Sequence, residues 1–162
     1  MRGTVGRRRI ASGTPWESTF GYSRAVRIGP HVWVSGTTST GPDGVFVDGS
    51  AYEQARRALE NISRALTGAG GGMSDVVRTR CYVRDIAEWP EVGRAHAERF
   101  ARILPAMSLV EVRGLIDPRM RVEIEAEAYV APLSPSRGRI RPDQGRKRPS
   151  ATGRRSERRR VG

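Results

Sequence analysis

The sequence predicts an α/β (α+β) domain: a mixed sheet with two helices on one face, in the order β-β-α-β-α-β-β. Three observations lead there. Residues 76–84 and 121–130 alternate polar and apolar side chains, the period of a half-buried strand. Residues 51–66 and 89–103 instead repeat apolar residues at three- and four-residue steps, the period of a helix lying on a core. Glycine and proline clusters fall between these stretches and punctuate them.

Taken in order, residues 1–15 are basic and glycine-rich and read as a flexible lead-in, with the domain spanning 16–131. Residues 22–28 read as the first strand. The turn Gly29-Pro30-His31 returns the chain into Val32-Trp33-Val34-Ser35, with Gly36 as its end. Gly41-Pro42-Asp43-Gly44 is a turn, because proline presets φ and glycine accepts a positive one. Ser50 and Glu53 have the spacing of a capping box. Behind them Ala55, Leu59, Ile62 and Leu66 form one helix face, and Gly68 with Gly70 to Gly72 stops it. The next strand directs Val77, Thr79, Cys81 and Val83 one way and Arg78, Arg80, Tyr82 and Arg84 the other. A second helix carries Val92, Ala95, His96, Phe100 and Ile103 along one side and ends before Pro105. Residues 108–112 form a strand, and 121–130 form the last one. There Val122, Ile124, Ala126 and Ala128 alternate with Glu123, Glu125 and Glu127. An arginine face and a glutamate face on one sheet surface would be complementary. Trp33 reads as a core residue.

The net charge of +12 is concentrated in the ends. Residues 1–9 carry +4 and residues 131–162 carry +9, which leaves −1 for residues 10–130. Residues 132–162 lack apolar periodicity and are rich in arginine, serine, glycine and proline, so they read as a disordered tail. Such a tail can bind polyanions non-specifically without defining the domain's own site. The single cysteine, Cys81, excludes an intrachain disulfide framework and a thiolate zinc site. His31 and His96 have no metal-ligand spacing, so neither metal nor cofactor is expected. With no bilayer-length apolar run and no secretion signal, the expected setting is cytoplasmic, with no membrane contact.

Several segments, in order, resemble the RidA (YjgF) family, whose members also carry the label endoribonuclease L-PSP. They are Gly21-Tyr22, Val34-Ser35-Gly36, the helix with Asn61, and Asp75-Val76-Val77 leading to Val83-Arg84-Asp85. Leu104-Pro105-Ala106, Val110-Glu111-Val112 and Val122-Glu123-Ile124-Glu125-Ala126 complete the series. The resemblance spans residues 20–130 and implies a chorismate-mutase-like fold. It also implies a homotrimer with the sheets inward, and small-molecule sites in the clefts between subunits. The family's best-known members are deaminases that hydrolyse reactive imines and enamines to oxo acids and ammonia. An imine carbon is already electrophilic, so that chemistry needs a carboxylate to manage the attacking water's proton and a cation to hold a substrate carboxylate.

By this resemblance the acid is Glu123, and Tyr22, Ser35, Met107 and Ser108 line the substrate site. Met107 stands where the family has its carboxylate-binding arginine, which implies an atypical substrate. Arg113, Arg119 and Arg121 are the nearby replacement cations. Each matched residue also has a structural reading. Glu123 can pair with an arginine across the sheet, Tyr22 can pack at a subunit boundary, and Ser35 can turn its hydroxyl onto backbone. Three functions follow: a deaminase-like hydrolase, a non-catalytic small-molecule-binding or interaction protein using the same cleft, and an RNA-directed role.

Overall fold

The computed structural model describes residues 6–131. The expected disordered tail, 132–162, lies outside them. Six strands form one sheet: β1 (Arg7–Ile10), β2 (Ala25–Ile28), β3 (His31–Thr37), β4 (Val76–Val83), β5 (Ala106–Glu111) and β6 (Val122–Tyr129). Three helices accompany them: α1 (Pro15–Phe20), α2 (Ala51–Gly68) and α3 (Trp89–Phe100). The sheet order is β1-β2-β3-β6-β4-β5. Only the β4–β5 pair is parallel, so the sheet is mixed.

Helix α2 forms as its sequence dictates. The Ser50 hydroxyl accepts from the Glu53 amide at 3.3 Å, and the Glu53 carboxylate accepts from the Ser50 amide at 2.9 Å. Ala55, Leu59, Ile62 and Leu66 are fully buried against β3 and β6. Helix α3 packs beside α2 on the same face. Its His96 shares a 2.9 Å hydrogen bond with the buried Thr79 hydroxyl of β4. Burial lowers the pKa of that imidazole and favours the neutral ring. Phe100, Cys81, Val83, Val122 and Ile124 complete the core. Burial pushes the Cys81 thiol up to about 12.

The opposite face carries the two charged rows. Arg78 stands across from Glu127, Arg80 from Glu125 and Tyr82 from Glu123. The Arg80 guanidinium bridges Glu125 at 2.6 Å and Glu127 at 3.0 Å. In one chain this face is open enough that such pairs add little stability.

Four expectations are corrected. Residues 7–10 are not a loose lead-in but an edge strand paired antiparallel with β2, and α1 follows before residue 22. Backbone pairing holds β1, and its side chains are mostly exposed, so it shows no alternation to read. Val77 is half exposed rather than core, because a register shift between Val76 and Arg78 turns Val76 inward in its place. Trp33 lies outside the core, stacked on His31, with 44% of its surface exposed. Strand β3 runs through Gly36 to Thr37 rather than ending there.

Candidate functional site

A cavity of about 730 Å³ opens between residues 10–24, the chain leaving β3, and one side of α2. Its polar end gathers Tyr22, Arg24, Ser35, Thr37 and Glu123. Its other walls are mixed: Ile10, Trp16, Phe20, Ile116 and Met120 supply apolar surface, and Asn61 and Arg64 of α2 supply polar groups. Trp16 and Phe20 sit on α1 with their rings 6.0 Å apart. This volume falls in the range of pockets that enclose ligands larger than a three-carbon acid.

Side-chain amides hold the cavity's frame. Asn61 of α2 donates to the Thr38 and Thr40 carbonyls at 2.9 and 2.8 Å, fixing the chain beyond β3. Gln54, fully buried on the same helix, donates to the Arg119 carbonyl at 3.1 Å and accepts from the Arg121 amide at 2.9 Å. These bonds fix the chain at Arg121, just before β6 and two residues before Glu123.

Strand β3 is irregular where it meets β6. Val34 pairs with Ala126, but the next pair is Thr37 with Ile124, so Ser35 and Gly36 together oppose the single residue Glu125. Such a bulge re-aims the side chains around it. At Gly36 the absence of a side chain is used fully. A Cβ there would stand 1.8 Å from Glu123 Oε1 and 2.8 Å from its Cδ. The Glu123 carboxyl therefore lies directly over the Gly36 backbone. Burial raises its pKa above the ordinary carboxylate value; the nearby Arg24 charge opposes this and Glu125 reinforces it. A carboxyl whose pKa is raised in a cavity is a stronger proton acceptor than an exposed one.

Three of the five expected site residues come together in one chain: Glu123, Tyr22 and Ser35 all line the cavity. Ser35 donates its hydroxyl hydrogen to the Ser23 carbonyl at 2.8 Å, so towards a ligand it offers only an acceptor. The Tyr22 hydroxyl accepts from Arg24 Nη2 at 3.1 Å and keeps its own hydrogen for another partner. Met107 and Ser108 do not join them. They lie on the edge strand β5, with β4 between them and β6, opposite Thr79 and Arg80. Met107 is 40% exposed in the single chain.

The replacement cations named from sequence also lie elsewhere. Arg119 pairs with Asp117 at 2.7 Å, Arg121 pairs with Glu88, and Arg113 is exposed. The cations that do line the cavity are Arg24 and Arg64, neither of which alternation or the family resemblance marks as a site residue. Arg24 had one legible signal: it follows Tyr22 by two residues and so shares its side of an extended chain. Among the described residues no histidine lines the cavity, and no group of three or more His, Cys, Asp or Glu is arranged to hold a metal ion. Among them, too, no helix is long and apolar enough to cross a membrane.

Residues 14–130 match the family described as Endoribonuclease L-PSP. The chain belongs to this family, also called the YjgF or RidA family. It is similar to a crystal structure of a YjgF/YER057c/UK114 family member from Mycobacterium tuberculosis. The identity is 52% and the TM-score 0.70, covering 77% of this chain and all of that one. An uncharacterized protein of Streptomyces coelicolor is 41% identical over 122 residues, 75% of this chain and 91% of the relative. A mouse protein named 2-iminobutanoate/2-iminopropanoate deaminase is 34% identical over 129 residues, 78% of this chain and 94% of the relative.

Proposed function

We propose that the chain hydrolyses a reactive imine or enamine, with Glu123 as the group that handles the proton. The observation that carries this reading is the Glu123 carboxyl held over Gly36 at the polar end of the cavity. Water held by Glu123 gives it a proton while the oxygen bonds to the imine carbon, and that proton passes to nitrogen to give a carbinolamine. Glu123 then takes the hydroxyl proton and returns it to the amine as the C–N bond breaks, so that ammonia and a carbonyl compound leave. The mouse relative's name describes a reaction of this class.

The substrate differs from that relative's in one respect: it lacks a carboxylate where Met107 stands, or holds it elsewhere. Methionine offers a soft apolar contact and cannot hold an anion. The apolar wall of Ile10, Trp16, Phe20, Ile116 and Met120 supports an uncarboxylated substrate, and Arg24 and Arg64 are the cavity cations that would hold a carboxylate elsewhere. Since Met107 and Ser108 lie apart from the cavity in one chain, a second copy brings them to it, in the homotrimer that the family resemblance implies. Sedimentation equilibrium reads this directly: a mass near three chains of 17.9 kDa supports the assembly and a clean monomer removes it.

The substrate is tested by two imines generated in situ, 2-iminopropanoate from an amino-acid oxidase and an uncarboxylated alkyl imine from an amine oxidase. Semicarbazide trapping follows what remains. The native chain is expected to act on the uncarboxylated imine and poorly on the acid. A lost charge-assisted contact to a carboxylate is worth about 2–5 kcal/mol. That is a deficit of about 30- to several-thousand-fold in kcat/KM. Met107→Arg is expected to recover activity on the acid. No gain in a folded Met107→Arg protein, together with no native activity on either imine, favours the non-catalytic binding reading.

A further inference from the structure

Arg24 directs its guanidinium hydrogen bonds to the bulge and to Tyr22 beside it. Its Nη1 donates to the Gly36 carbonyl at 2.7 Å, to Thr37 Oγ1 at 2.9 Å and weakly to the Ser35 carbonyl at 3.4 Å. Its Nη2 donates to the Tyr22 hydroxyl at 3.1 Å, and the guanidinium lies 5.5 Å from the Tyr22 ring centre. The Arg24 carbonyl in turn accepts from the Ser35 amide at 3.0 Å. Residues 35–37 are thus held from the β2 side, at the point where the β3–β6 ladder is interrupted.

We infer that Arg24 is a positioning residue: its guanidinium clamps the β3 bulge so that Gly36, and no other residue, lies beneath the Glu123 carboxyl. The reasoning is one of register. Two residues, Ser35 and Gly36, stand against one on β6, and relaxation to a regular ladder removes the extra residue. Either neighbour of Gly36 brings a Cβ into the space the Glu123 carboxyl fills, where even a Cβ on Gly36 would stand at 1.8 Å. A planar, permanently charged fork can serve several acceptors at fixed angles. Charge-assisted bonds to carbonyls are about twice as strong as neutral ones. Lysine keeps the charge but not the fork; glutamine keeps a planar donor but not the charge.

The role of this clamp in a reaction rests on the reading of Glu123 given above, but its test does not require activity. The full chain is labelled with carboxyl ¹³C glutamate and the Glu123 signal, assigned by its loss in Glu123→Gln, is titrated in each variant. The charged and titratable groups around Glu123 are Arg24, Glu125, the Tyr82 phenol opposite it on β4, and Tyr22 and Arg64 in the cavity wall. The two accounts of Arg24 give opposite signs. If Arg24 acts only through its charge, Arg24→Gln removes a favourable neighbour and the Glu123 midpoint rises. If it clamps the bulge, Arg24→Gln lets the carboxyl swing into water and the midpoint falls towards its ordinary 4.5. Arg24→Lys, the milder change, separates them again: charge alone leaves the midpoint in place, whereas loss of the clamp lowers it. Gly36→Ala closes the cycle. It is expected to lower the midpoint in the native background and to add nothing in Arg24→Lys, where Gly36 has already left its place. A fall in Arg24→Lys with no further effect of Gly36→Ala establishes the clamp. An unchanged midpoint in folded Arg24→Lys, or additive effects of the two changes, overturns it whether or not the chain proves to be a deaminase.

Discussion

Replacing Gly36 by alanine separates site geometry from fold stability. The new Cβ would stand 1.8 Å from Glu123 Oε1, and ordinary contact begins near 3.4 Å. The oxygen must therefore retreat by about 1.6 Å, more than the ~1 Å misplacement that can cost roughly a hundredfold in rate. The nearest atoms belong to the end of a glutamate side chain, not to backbone, so the carboxyl moves and the strand stays. Gly36 does not have a positive φ, so alanine is accepted there without backbone strain. A compatible Gly→Ala change also stiffens the unfolded chain, which adds about 0.4–1 kcal/mol of stability. The expected result is a loss of about a hundredfold or more in kcat/KM for imine hydrolysis, with a melting temperature unchanged or slightly higher. Semicarbazide trapping and a thermal melt on the same sample read both. Full activity in Gly36→Ala would refute the placement of Glu123. A large fall in melting temperature would show that the glycine serves the fold instead.

Glu123 also makes stability depend on pH. Its pKa is raised in the folded state, so the folded state holds the proton more tightly than the unfolded chain. Stability contributed by this group is complete below the unfolded value near 4.5 and is lost as pH rises through the folded value. Glu123→Gln should therefore be more stable than the native chain at neutral pH, with the gap closing on acidification; chemical denaturation at several pH values checks it. Cys81 is fully buried and its thiol is pushed up to about 12, so a maleimide at pH 7 should leave it unmodified until denaturant is added. Mass spectrometry before and after unfolding reads this directly.

The parts of the molecule that were legible in the sequence are those where burial writes a period. Helix α2 announced itself through Ser50, Glu53 and the Ala55–Leu59–Ile62–Leu66 stripe, and each took its expected place. The arginine and glutamate rows were legible because alternation fixes faces, and the register sets Arg80 against Glu125. Interruptions of the period were not legible. The bulge at Ser35 and Gly36 has no signature in strict alternation, which places Gly36 at a strand end and gives Arg24 no role. The shift that turns Val77 outward is invisible for the same reason, and so is β1, because backbone pairing alone holds it. Tyr22, Ser35 and Glu123 were found through resemblance to a family rather than through periodicity, and the cavity gathers all three. Met107 and Ser108 came from the same resemblance, but a single chain leaves them on another strand.

The central claim is that Glu123 drives hydrolysis of an imine, and the most direct measurement compares native chain with Glu123→Gln on one uncarboxylated alkyl imine generated in situ. The substitution keeps the side chain's size and removes its ability to take a proton, a contribution of about 10²- to 10⁴-fold. The account predicts that native protein depletes the trapped imine in proportion to its concentration, while Glu123→Gln leaves it at the level of buffer. Equal depletion by the two proteins would contradict it.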